Sequence, residues 1–209
     1  MRIETLSAPA SEPLLLDEIK NHLRLDGSAD DVGLGGLLRA AREMVENHLG
    51  LCLINRSLAL YLDAWPGSMG QMPWWQGVAS GSMAAFVRMA EYLPLPVRPV
   101  SGIGAIQTYD VDGAATVWDA ENYNLKPGLE PALYRTSGSW PTPGRTLDGI
   151  SIELTTGFGD SWNDVPADIR QALLMLVAHL FENRGDTGTK AMDASGAGAV
   201  LKPYRKLQI

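Results

Sequence analysis

The stretch Asp164–Asp186, DVPADIRQALLMLVAHLFENRGD, decides the fold. Ile169, Leu173, Leu176, Val177 and Leu180 recur at spacings of three and four, with Ala172 and Phe181 beside them. That is the period of a helix burying one broad face. Asp164 is placed to cap it, Pro166 suits the first helical position, and Gly185 is the expected stop. The spacing predicts a helix over about 166–184. Such a face needs apolar partners, and the chain upstream supplies two.

The first is LLLDEIKNHLRL, Leu14–Leu25, which sets Leu15, Ile19, His22 and Leu23 on one face, Asp17 and Glu18 in the first turn, and Asp26-Gly27 at the end. The second is DDVGLGGLLRAAREMVENHLG, Asp30–Gly50, with a stripe of Leu34, Leu37, Leu38, Ala41, Met44, Val45 and Leu49. Ser28, Asp30 or Asp31 can cap it and Gly50 can end it. Helices are thus predicted over about 14–25 and 31–49.

Between these and the last helix the period changes to two. Leu58, Leu60 and Leu62 alternate with Ser57, Ala59 and Tyr61, and Ile150, Ile152 and Leu154 alternate again before TTGFG. Ile103–Tyr109 and Ala115–Trp118 flank the turn residues Asp110–Gly113, a hairpin pattern. Pro94, Pro96 and Pro99 limit their stretch to short or edge strands. The expected class is α+β, mainly α: a three-helix core of two N-terminal helices and one long C-terminal helix, with a small antiparallel β region inserted over about 54–156. Residues 1–185 read as a single domain, and 186–209, rich in Gly, Ala and Ser, as a flexible, extended C-terminal docking tail.

Composition narrows the function. Of 209 residues, 45% are hydrophobic and 20% charged, which suits a soluble globular chain. The net charge of −7 opposes general binding to a phosphate backbone. The single cysteine, Cys52, allows neither an intramolecular disulfide nor a thiolate metal cluster and fits a reducing compartment. MRIETLSAPASEP lacks the apolar centre of a signal peptide, and no run of about 18 apolar residues suggests a membrane span.

Motifs for chemistry are sparse. His179 and Glu182, three apart, share a helical face and could begin a metal site, which makes a small metal-dependent enzyme the alternative reading. The pair lacks the second Glu-x-x-His of a di-iron bundle and the His-Glu-x-x-His of a zinc protease. Gly33, Gly35 and Gly36 imitate a phosphate loop without a preceding strand or a following Lys-Ser/Thr. No catalytic residue, metal site or cofactor is expected, and the chain is not read as an enzyme. Trp74 and Trp75, in a polar Gly-rich loop, suggest a partner surface. Residues 186–209 carry Lys190, Lys202, Arg205 and Lys206 against Asp186 and Asp193, net +2, leaving −9 for the rest. A basic, partly apolar terminal segment is built to dock.

In order and spacing, several pieces together resemble the head–tail connector, or adaptor, proteins of long-tailed phages, prophages and gene transfer agents. They are LLLDEIKNHLRLDG and LLRAAREMVENHLG, then LDAWP, LPLPVRPVSGI and YDVDG, then TTGFGD, VPADIRQALLMLVAHLFENRG and VLKPYR. The glycines of the second helix and the Trp74-Trp75 loop depart from the pattern. The resemblance implies a structural neck protein, assembled in the host cytoplasm and then part of the particle. It implies a ring of copies, commonly twelve, beneath the portal protein, through which DNA passes without specific binding; no membrane is involved. The segment Val200, Leu201, Lys202, Pro203, Tyr204 and Arg205 would grip the portal. The β region, with Trp74 and Trp75, would face the next neck or tail-completion protein.

Overall fold

The computed structural model describes residues 1–65 and 91–205. Trp74 and Trp75 therefore lie outside the described residues. In chain order the elements are β1 (Arg2–Thr5), α1 (Leu16–Leu23), α2 (Asp31–Leu49), β2 (Arg56–Leu62), β3 (Tyr92–Pro94), β4 (Val100–Tyr109), β5 (Ala115–Val117), β6 (Tyr123–Lys126), β7 (Ala132–Arg135), β8 (Ile150–Thr156), α3 (Ala167–Glu182), α4 (Gly188–Ala194) and α5 (Ala197–Leu201). This is a mixed α/β chain with antiparallel sheets. It divides into two compact units, Met1–Ala8 with Ser57–Thr156, and Pro9–Arg56 with Gly157–Ile209.

The helical unit is organised by α3. Ile169, Ala172, Leu173, Leu176 and Val177 are all 0% exposed. Burying each of the large aliphatic side chains is worth roughly 1.5–3 kcal/mol. Their partners are Ile19 of α1 and Leu34, Leu38, Ala41 and Val45 of α2. The helix ends at Glu182, and the C-cap is Asn183, two residues before the expected stop at Gly185. Asp164 does not cap it; its carboxylate accepts the Ser161 N–H (3.0 Å) in the preceding 3-10 turn, and Pro166 takes the N-cap. Helix α2 spans its predicted range and ends on Gly50 at φ 64. Helix α1 is shorter than predicted because Arg24 turns left-handed at φ 57, and Glu18 caps its start through the Leu15 N–H (3.0 Å).

A three-helix core is not what the described residues show. Ala191 and Met192 of α4 and Ala197 and Leu201 of α5 are buried in the same cluster. The segment read as a flexible tail is helical over 188–194 and 197–201. Its small residues are the reason: alanines let two short helices press closely on α3, where composition alone suggested a linker.

A buried charge network fixes the chain where it leaves and re-enters this unit. Glu46 is 8% exposed and Arg42 6%. The Glu46 carboxylate accepts from Arg42 Nη1 (3.0 Å), from the Leu53 N–H (2.9 Å) and from the Arg56 guanidinium. Arg42 Nε donates to Glu12 (2.9 Å). Burial works to lower the Arg42 pKa, but the bond to Glu12 and the charges of Glu46, Glu12 and Glu43 overcome it, and the net shift is upward. The TTGFGD stretch packs on the same junction. Phe158 N–H donates to Leu53 O (3.1 Å), and Asn55 N–H to Gly159 O (2.8 Å). A Cβ on Gly157, at φ 139, would sit 2.4 Å from Asn55 N, so only glycine fits.

The other unit is larger than the small insertion expected, because the first residues join it. Its five-stranded sheet runs β1-β2-β8-β4-β5, and a three-stranded sheet runs β3-β7-β6. Strand β1 pairs with β2 from Arg2↔Tyr61 to Thr5↔Leu58. The hairpin forms as the Asp110–Gly113 pattern predicts: Asp110 Oδ1 accepts from the N–H groups of Asp112 (2.9 Å) and Ala114 (2.8 Å), and Gly113 has φ 87. Ile106, Leu133, Ile150 and Ile152 are 0% exposed in the core. Trp65, Trp118 and Trp140 stack at its margin, with Trp65 and Trp140 4.4 Å apart and Trp65 Nε1 donating to Pro141 O (2.7 Å).

Replacing Glu46 by Gln removes the charge that answers Arg42 and Arg56. A broken buried pair costs about 3–5 kcal/mol. Guanidinium denaturation should show a midpoint lowered accordingly, with the m-value unchanged.

Candidate docking surface

The chemistry first suspected at the end of α3 is a structural corner. His179 Nε2 lies 3.1 Å from Asp186 Oδ2, and Lys190 Nζ donates to Asp186 Oδ1 (2.6 Å). Asn183 Nδ2 donates to His179 O (3.1 Å), and Asp186 N–H to Asn183 O (3.0 Å). Lys190 first, then His179, hold the Asp186 carboxyl below the usual carboxylate range. The structure thus brings Asp186, not Glu182, to His179, and Glu182 is exposed. Among the described residues no group of three or more His, Cys, Asp or Glu could hold a metal ion. The sequence missed this corner because Asp186 lies seven positions from His179, where only the turn at 183–187 makes them neighbours.

Beyond the corner, α4 and α5 carry the terminal segment back along α3. Of the six residues expected to dock, Leu201 is 0% exposed and belongs to the core. Val200 and Tyr204 are half-buried against that core, and Lys202, Pro203 and Arg205 are exposed. Tyr204 Oη donates to Asp168 Oδ1 (2.8 Å), tying the 3-10 turn Lys202–Tyr204 to the start of α3. Burial and that bond push the Tyr204 phenol up to about 12. The result is a fixed, solvent-facing basic ridge rather than a free tail. A pocket of about 320 Å³, lined by Met44, Asn47, His48, Gly188, Thr189 and Met192, opens between α2 and α4. Cys52 is half-buried between the buried Leu51 and Leu53. No described helix is long and apolar enough to cross a membrane.

This architecture is that of known particle components. Residues 14–67 match the family model described as phage gp6-like head-tail connector protein. Solved structures extend the similarity to the whole chain. A chain in the neck of an empty gene transfer agent particle, computed with C6 symmetry, matches with a TM-score of 0.75 at 26% identity, over 100% of this chain and 97% of that one. A chain of the neck of a native gene transfer agent particle, computed with C12 symmetry, gives 0.74 at 25% identity with the same coverage. One in the virion of a native gene transfer agent particle gives 0.73 at 26%. No curated protein matches significantly. The head–tail connector resemblance is carried by residues 14–67, and the likeness to particle necks by the whole chain. The chain is similar from end to end to neck chains of gene transfer agent particles.

Tyr204 provides a direct check on the ridge. Its pKa lies above the ordinary 10, so the stability it contributes is complete below pH 10 and is lost as pH rises towards 12. Subtracting the phenolate absorbance titration of Tyr204→Phe from that of the parent should leave one group ionising near pH 12. A difference curve centred at 10 would place Tyr204 off α3.

Proposed function

We propose that this chain is a structural protein of a virion or gene-transfer-particle neck. Copies of it form a ring under the portal, commonly of twelve, that joins the DNA-filled capsid to the tail. The observation that carries this reading is the end-to-end similarity to neck chains, 100% of this chain against 97% of theirs. Its partners are the portal, the next neck or tail-completion protein, and further copies of itself. Assembly takes place in the host cytoplasm, before the protein becomes part of the particle.

The portal contact is the ridge. Lys202, Pro203 and Arg205 face outward, Val200 and Tyr204 flank them, and Leu201 anchors the segment from below. One such patch is a weak binder; a ring presents many at once, and effective concentration supplies the strength. Trp74 and Trp75 remain assigned to the opposite contact, with the next neck component. The net charge of −7 suits a channel wall that lets DNA slide without gripping it. The enzyme reading is not favoured, because His179 is committed to Asp186.

Removing everything after Gly185 is a poor test, because it would strip Ala191, Met192, Ala197 and Leu201 from the core. The double reversal Lys202→Glu, Arg205→Glu touches only exposed side chains. It should leave the melting temperature unchanged and abolish attachment of the protein to DNA-filled heads, measured by co-sedimentation. Normal attachment by a folded double variant would contradict the assignment.

A further inference from the structure

Among the described residues, β1 and β5 are the edges of the five-stranded sheet, and their geometry fits one to the other in a second copy. At β1, Leu6 N–H donates to Ser57 O (2.9 Å), one position beyond the pair Thr5↔Leu58. Bonded pairs alternate in an antiparallel ladder, so Ile3 and Thr5 turn their N–H and C=O groups away from β2. At β5, Asp110 N–H donates to Ala114 O (3.1 Å) and Trp118 N–H to Ile106 O (2.8 Å). The same alternation turns the backbone groups of Ala115 and Val117 away from β4.

The strand directions agree. The steps β1–β2, β8–β4 and β4–β5 are antiparallel. Strands β2 and β8 are neighbours. Asn55 N–H, just before β2, donates to Gly159 O, just after β8, and Asp148 N–H, just before β8, donates to Asp63 Oδ1, just after β2, so that step is antiparallel too. Four antiparallel steps leave β1 and β5 running the same way, so a β1 brought to β5 by rotation of a second copy pairs with it in parallel. In a parallel pair one residue bonds to the two that flank its opposite number. Ile3 opposite Thr116 would donate to Ala115 O and accept from the Val117 N–H, and Thr5 would donate to Val117 O. Ile3 shares a sheet face with Leu60, and Thr116 with the buried Thr108, so both sheets keep their buried side on the same side.

Side chains favour the same join. Of the ten exposed large hydrophobic residues among those described, Met1, Ile3, Leu6, Val111 and Val117 lie on or beside these two edges. The stretch 110–121 carries Asp110, Asp112, Asp119 and Glu121 and no base. The parallel register sets Arg2, which also bonds Glu4 and Asp148 of its own copy, beside Ala115, next to the turn that holds Asp112. A ring needs two different, complementary surfaces on each subunit. Open edges invite such pairing, and closure removes them.

We infer that β1 of one copy adds in parallel to β5 of the next, with Ile3 opposite Thr116, and that this join links neighbours around the ring. The inference rests on the ring reading above. Strand spacing puts the Cα atoms of residues 3 and 116 about 4.8 Å apart across the join, within the span of a disulfide. The test uses particles assembled with Ile3→Cys, Thr116→Cys on a Cys52→Ser background, oxidised and run without reductant. The expected result is a ladder of covalent multimers of this chain, absent when either cysteine is omitted. Rings visible by electron microscopy without a ladder would overturn the join and leave the ring standing; particles whose necks lack a ring of this chain would overturn both. A second variant guards against misfolding of the cysteine variant. Val117→Pro removes only a backbone N–H that faces away from β4; it should leave the melting temperature unchanged and reduce the yield of particles with complete necks. Unchanged yield from the folded proline variant also overturns the join.

Discussion

Everything in the helical unit follows from one constraint: α3 is too apolar to stand in water. Ile169, Leu173, Leu176 and Val177 are fully buried, and no single neighbouring helix could cover them. Helices α1 and α2 cover part of that surface, and α4 and α5 cover the rest. This is why the chain must turn sharply after Glu182. The corner of His179, Asp186 and Lys190 is how it does so. What resembles an active site in sequence is the joint that returns the terminal segment to the core.

The second organising element is the Glu46 carboxylate. Buried charge is costly unless fully answered, and here two arginines and a backbone N–H answer it. Arg42 lies on the same helix one turn before Glu46, and Leu53 and Arg56 lie where α2 gives way to β2. With Gly157 pressed on Asn55, the network holds the end of the 9–56 segment against the start of the 157–209 segment within the helical unit. That gives the TTGFGD landmark a physical meaning, because a side chain at position 157 would collide with backbone.

Much of the fold was legible in the sequence, for identifiable reasons. Helix α2 was bounded well because its stripe is continuous and Gly50 ends it in the left-handed region. The hairpin was legible because Asp110 and Gly113 are the residues that such a turn requires. Strand β1 was not, because RIET is four residues long, fully exposed and without a clear alternation. The terminal segment misled by composition. Ala191 and Ala197 read as linker, yet their small size is what lets α4 and α5 pack closely. Of the six residues expected to dock, Lys202, Pro203 and Arg205 are exposed and Leu201 is buried, a difference the sequence does not show because an apolar residue in a basic segment looks the same whether it faces a partner or its own core. The tryptophan cluster left no local signal, because Trp65, Trp118 and Trp140 converge only through the fold.

A neck component must be rigid enough to transmit a fixed geometry and must still bind its neighbours through surfaces that are individually weak. The basic ridge clamped to α3 is the surface proposed to meet both demands. The most direct measurement is a cryo-EM reconstruction of the neck of particles that carry this chain. The account predicts a closed ring of it between capsid vertex and tail, with Lys202 and Arg205 on the capsid side. A neck built without this chain, or a ring whose Lys202 and Arg205 face the tail or the bore, would contradict it.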